Sequence, residues 1–192
     1  MSGQQAGREE VDAAGDEEAA RLFVGVWPPP EVVAVVSALE RPAFDVLRWT
    51  SPERWHVTLA FLGSVPAARV AEVQAALVDA MADASAAPEA RLGPSTRRVG
   101  RTLLWVPVEG LEELAGDVRH ALRDLLPGAA LDEPFQGHLT LARARGRHGM
   151  PASLAGVPIE ARWLVREVRL VRSELDHSGA RYTTLLSAAV AS

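Results

Sequence analysis

The chain has no cysteine and no lysine. Without cysteine there is no disulfide framework, no thiolate zinc site and no sulfur nucleophile. Without lysine there is no lysyl-adenylate, so ATP-dependent ligation through such an intermediate is excluded. All 20 basic side chains are therefore arginine. Arginine suits phosphate, but a biased genomic composition is the better account of the count. Aromatic residues make up 5% of the chain. No apolar run approaches the length needed to span a bilayer, and the acidic N-terminus lacks a hydrophobic signal core. The sequence reads as that of a cytoplasmic protein outside the membrane. A basic stripe is missing too. Residues 1–20 hold six acids against Arg8, and residues 21–192 hold 19 acids and 19 arginines. A neutral body is not an electrostatic binder of nucleic acid, so any RNA is expected to be handled at one local site.

What is present is about half apolar and long enough for one well-buried domain or two small lobes. Residues 1–20, small and acidic, are expected to be a disordered tail, with order starting at Arg21. Strands are predicted at 22–27, 55–62 (closed by Gly63), 102–108, 137–143, 163–173 and 182–189, the last two as a hairpin through Asp176-His177-Ser178-Gly179. Short extended pieces are read at 47–49, 90–92 and 97–99. Helices are predicted with apolar stripes at Val32, Val33, Val36 and Leu39; at Val70, Val73, Leu77 and Met81 (about 67–82); and at Leu111, Leu114, Val118, Leu122 and Leu125.

The halves of the chain repeat. A strand at Leu22 and a helix precede His56-Val57-Thr58-Leu59; a strand at Leu103 and a helix precede His138-Leu139-Thr140-Leu141. Two chance copies of such a motif are expected in on the order of one chain in a hundred or fewer. The recurrence predicts an α+β fold with two lobes about a pseudo-two-fold axis, antiparallel sheets with helices packed outside, and a central groove. Strand alternation puts His56 with Thr58, and His138 with Thr140, on one face. Two imidazoles and two hydroxyls suit phosphodiester cleavage. One imidazole takes a proton from the attacking oxygen and the other gives one to the leaving oxygen, while hydroxyls donate to non-bridging phosphate oxygens.

These segments resemble the two-histidine phosphoesterases, in the LigT-like branch of RNA 2′,3′-cyclic phosphodiesterases, historically called 2′-5′ RNA ligases. The resemblance covers about residues 21–187. It rests on Arg21-Leu22-Phe23, Arg48-Trp49, Pro52-Glu53, His56 to Gly63, Leu104-Trp105-Val106, Phe135 to Arg143, Ser173-Glu174-Leu175, Gly179 and Tyr182. One departure is Gly137, where the family usually has proline. The resemblance implies hydrolysis of cyclic phosphate ends of RNA to a 2′-phosphate. It makes His56 the proton donor and His138 the proton acceptor, with Thr58, Thr140 and Arg143 on the phosphate. No cofactor or metal is implied. Because Arg143 has the wrong parity for the face of His138, a bulge or strand end must redirect it. Phe23 either walls in or stacks on the terminal base, or is an ordinary core residue.

A metal reading is disfavoured because no spaced third His or carboxylate accompanies either motif and Thr is a poor ligand. His120 reads as a helix-surface residue, His148 and His177 as loop residues. The Arg97, Arg98, Arg101 and Arg143, Arg145, Arg147 groups either guide an RNA strand or form solvated loops. Two alternative functions stand beside the leading one: cleavage of a 2′-5′ oligonucleotide or small cyclic nucleotide derivative, and a non-catalytic RNA-end binding module. A monomer acting on RNA or an oligonucleotide with a cyclic phosphate end is expected.

Overall fold

The computed structural model describes residues 19–84, 86–146, 149–176 and 179–191. The element order is β1 (Ala19–Val26), α1 (Pro30–Ser37), β2 (Leu47–Trp49), β3 (Val57–Pro66), α2 (Val70–Ala82), β4 (Glu89–Leu92), β5 (Arg97–Val99), β6 (Leu103–Glu109), α3 (Glu112–Arg123), β7 (His138–Ala144), β8 (Ala161–Leu164), β9 (Glu167–Asp176) and β10 (Gly179–Ala189). The strands form one antiparallel array in the order β10-β9-β1-β3-β7-β6-β4-β8, with β2 on β7 and β5 on β6.

That order is symmetric about its middle. Strand β3 corresponds to β7, β1 to β6, β9 to β4 and β10 to β8, so the pseudo-two-fold expected from the repeated motifs runs between β3 and β7. The two central strands meet at one register pair, Val57 with Leu139. Leu59, Leu139 and Val57 are all fully buried, and each such side chain contributes about 1.5–3 kcal/mol by leaving water. Helices α2 and α3 pack on each other, α2 against β10 and α3 against β3. They turn the fully buried Val73, Leu77 and Met81, and Val118 and Leu122, inward. The fold is therefore α+β, with helices covering the side of the sheet that carries the core.

The structure departs from the expected elements in a few places. The segment read as one strand from Trp163 to Ser173 is two. Strand β8 pairs with β4 at one end of the array, and β9 pairs with β1 and β10 near the other. Only Val165 and Arg166 join them, a link that spans at most about 10 Å. The sheet must therefore curl until its ends approach. Periodicity cannot show such a change of partner, because alternation reports which face of a strand is buried and not which strand lies beside it. Strand β1 starts at Ala19, two residues before the expected onset of order; residues 1–18 lie outside the described residues. Strand β3 runs past Gly63, which takes a φ of +69° beside a register shift, and ends at Pro66. A 3-10 turn at 67–69 precedes α2. Arg147, His148 and His177 lie outside the described residues. No helix among those described is long and apolar enough to cross a membrane.

Candidate active site

The same irregularity occurs in both central strands. Along β1 and β3, Val24 pairs with Ala60 but Gly25 with Thr58, leaving Leu59 extra. Along β6 and β7, Leu104 pairs with Ala142 but Trp105 with Thr140, leaving Leu141 extra. Each is a β-bulge, and each flips the side-chain parity beyond it. Leu59 and Ala60 are both buried, as are Leu141 and Ala142. The next residues, Phe61 and Arg143, return to the face that carries His and Thr, and both are exposed. The bulge required to aim Arg143 is thus present, and its twin aims Phe61. Arg119 on α3 supports the first bulge: its Nε donates to the Leu59 carbonyl at 2.9 Å, and its Nη1 to the Glu133 carbonyl at 2.6 Å.

Continuing the Val57–Leu139 register by one residue sets His56 across from Thr140 and Thr58 across from His138. The four side chains occupy one face, half-buried. Both imidazoles are held alike. Nδ1 of His56 lies 2.7 Å from the Arg54 carbonyl, and Nδ1 of His138 lies 2.7 Å from the Gln136 carbonyl. A carbonyl only accepts, so each Nδ1 carries the proton and each Nε2 is left for chemistry. Burial lowers the pKa of both rings, against the raising effect of these carbonyls. The proximity of His138 adds a smaller lowering of His56, and Arg143 adds one of His138. Both imidazoles are therefore biased toward the neutral form.

The surroundings are aromatic but differ between halves. His56 lies against Trp27 (centroids 5.1 Å apart, stacked), Phe23 (4.9 Å) and the edge of Tyr182 (5.3 Å); His138 lies against Trp105 at 3.9 Å. Phe23 is only 4% exposed, enclosed by Trp27, His56, Phe61 and Tyr182. It walls the site and has no free face. Phe61, 64% exposed, has one. Burial raises the pKa of Tyr182, and the charges of Arg143 and Arg54 oppose that rise. The roles open to Phe61, Tyr182, Trp27 and Trp105 are not apparent from the motifs. The offset of five residues after each histidine, common to Arg143 and Phe61, is the one signal that singles out Phe61.

Other expected residues lie elsewhere. His120 is exposed on α3. Arg97 and Arg98 are on β5, with Arg98 donating to the Met150 carbonyl. No cluster of three or more His, Asp or Glu placed to hold a metal occurs among the described residues.

Gly137 has a steric reason. A Cβ built there meets the Val108 carbonyl oxygen at 2.1 Å and the Phe135 ring at 3.2 Å. The Gly137 carbonyl in turn accepts from Val108 N at 2.8 Å, locking the entry to β7. Gly137→Ala is therefore expected to cost about 1–3 kcal/mol through overpacking, seen as a melting temperature lower by several degrees. An unchanged melting temperature would show that this junction has slack.

Residues 28–177 match the family model described as the 2′-5′ RNA ligase superfamily. The chain is 32% identical over 178 residues to the RNA 2′,3′-cyclic phosphodiesterase of Thermus thermophilus, covering 86% of this chain and 87% of that one. It is 33% identical over 176 residues to the enzyme of the same name from Geobacillus stearothermophilus, covering 85% of this chain and 55% of that longer protein. A crystal structure of a Thermus thermophilus protein superimposes with a TM-score of 0.74 at 31% identity, covering 88% of this chain and 97% of that one. The apo structure of Escherichia coli LigT does so at 0.65 and 26% identity, covering 91% and 99%. On the extent of these matches, and with the two-fold sheet already described, the chain belongs to the 2′-5′ RNA ligase superfamily.

Proposed function

We propose that the chain is a phosphodiesterase that opens the 2′,3′-cyclic phosphate at an RNA end to a 2′-phosphate, by acid–base catalysis between His56 and His138. The observation that carries this reading is the pair of two-fold-related His–Thr strands, each with Nδ1 tied to a carbonyl and Nε2 without a protein hydrogen bond among the described residues. His138 Nε2 accepts a proton from water as its oxygen bonds to phosphorus. The P–O3′ bond breaks, and His56 Nε2 supplies the proton that the 3′ oxygen takes up. Burial lowers the pKa of both rings, and Arg143 adds to the lowering of His138, in keeping with its role as acceptor. Thr58 and Thr140 donate to the non-bridging oxygens, and Arg143 offsets their charge. The exposed face of Phe61 is available to stack on the terminal base. The names borne by the Thermus and Geobacillus relatives favour the same reaction.

The test is end-group analysis of an oligoribonucleotide bearing a 2′,3′-cyclic phosphate, after incubation with EDTA-treated protein. A 2′-phosphate product is expected at a rate unchanged by chelation. A 3′-phosphate product would reverse the proposed leaving group, and an intact cyclic end would sink the assignment.

A further inference from the structure

Strand β2 places a second guanidinium beside the first. In the antiparallel pairing of β2 with β7, Arg48 lies directly opposite Arg143. Directly opposed residues share a face, with Cβ atoms about 4.5–5.5 Å apart. The β7 bulge aims Arg143 at the site, so Arg48 is aimed there as well. Both are exposed, and among the described residues neither has a carboxylate within ion-pair distance. Like charges directly opposed across two strands destabilise the pairing. An anion received between or beside them removes that penalty.

Arg143 is within electrostatic reach of His138 and Tyr182. Arg48 lies on the edge of β7 opposite β6, in the same column as β3, about 4.8 Å from β7 in the pairing direction. The Arg48–Arg143 level lies three residues along β7 from Thr140, about 10 Å, so the two guanidiniums are stepped away from the histidines along the strands rather than converging on one point. A single cyclic phosphate at the His–Thr quartet does not need Arg48. A substrate with another phosphate behind the first does.

We infer that Arg48 forms a second phosphate subsite, which binds the internucleotide phosphate next to the reacting end and makes the preferred substrate an oligonucleotide rather than a mononucleotide. This rests on the phosphodiesterase reading above. A guanidinium–phosphate contact is charge-assisted and bidentate-capable, and its loss is read as about a tenfold change.

The experiment compares kcat/KM for three substrates: a nucleoside 2′,3′-cyclic phosphate, a dinucleotide ending in the same group, and that dinucleotide with a neutral methylphosphonate linkage. Wild-type protein is expected to prefer the charged dinucleotide over the mononucleotide about tenfold, and the neutral linkage should abolish the preference. In Arg48→Gln the dinucleotide-to-mononucleotide ratio should fall about tenfold. A ratio that Arg48→Gln leaves unchanged, or a preference that survives the neutral linkage, overturns the subsite. Binding of the 2′-phosphorylated mono- and dinucleotide to both proteins gives the same comparison without turnover. If wild-type protein turns over none of the cyclic substrates, the phosphodiesterase reading fails. The subsite is then still judged, by whether the dinucleotide binds more tightly and loses that advantage in Arg48→Gln.

Discussion

His138→Ala and His56→Ala are each expected to lower kcat on a 2′,3′-cyclic phosphate end by about 10²–10⁴-fold, the usual worth of a positioned acid or base. The double variant should be far less impaired than the product of the two losses, because an acid and a base that act on one displacement act as a unit. His56 packs against Phe23, Trp27 and Tyr182, so His56→Gln is the fitting companion variant. It keeps bulk in the aromatic wall and still removes the titrating group. The pH profile separates the two roles. The reaction needs one ring protonated and the other neutral. Burial lowers both pKa values below the ordinary 6.5, so kcat/KM should be bell-shaped with its maximum on the acid side of 6.5. It falls as pH rises because the imidazolium donor is lost, and falls at lower pH because the base is protonated. In the bound complex the phosphate charge raises both values, so the kcat optimum should lie higher. Removing His138 should flatten the acid limb, and removing His56 the alkaline limb. Residual activity within tenfold of wild type in either alanine variant would place the chemistry elsewhere.

The site was legible in the sequence where it depends on local alternation, and illegible where it depends on which strands become neighbours. His56 with Thr58, and His138 with Thr140, follow from period-two geometry, and their duplication implies the axis between β3 and β7. The need for a bulge was legible too: Arg143 is an odd number of residues from His138, and Leu141-Ala142 supplies the two consecutive buried residues that break the alternation. The same reasoning applied to Leu59-Ala60 leads to Phe61, yet the attention that motif residues attract falls on Phe23, which the fold buries at 4% exposure. Tyr182 reaches His56 from β10 even though β9 and β1 lie between β10 and β3. No local pattern in 179–189 encodes that neighbour. Nor does the stretch 161–176 reveal that its two halves pair with strands at opposite ends of the array. Alternation encodes a buried face and not a neighbouring strand, and only the curl of the sheet distinguishes their partners.

Thr58→Val and Thr140→Val should each lower kcat by about 10²-fold or more while leaving the melting temperature close to that of the parent. A hydroxyl that donates to a phosphate oxygen in the transition state contributes as an oxyanion-hole donor does, about 10²–10³ in rate. Valine keeps the β-branched shape that suits the strand, so the change is confined to the hydroxyl. Stability should be spared because neither hydroxyl has a protein hydrogen-bond partner among the described residues. Thr96 supplies the contrast. Its hydroxyl is buried, donates to the Leu154 carbonyl at 2.6 Å and accepts from Val157 N at 3.0 Å. Thr96→Val leaves both of those groups without their partner and should cost about 1–3 kcal/mol of stability with little direct effect on kcat. Residue type and strand propensity do not separate the three threonines by role; the presence or absence of a protein partner does. Thermal melts and single-turnover rates on the same set of variants test that distinction. If Thr58→Val and Thr140→Val melt as low as Thr96→Val and turn over normally, their hydroxyls serve the fold and the phosphate is held by other groups.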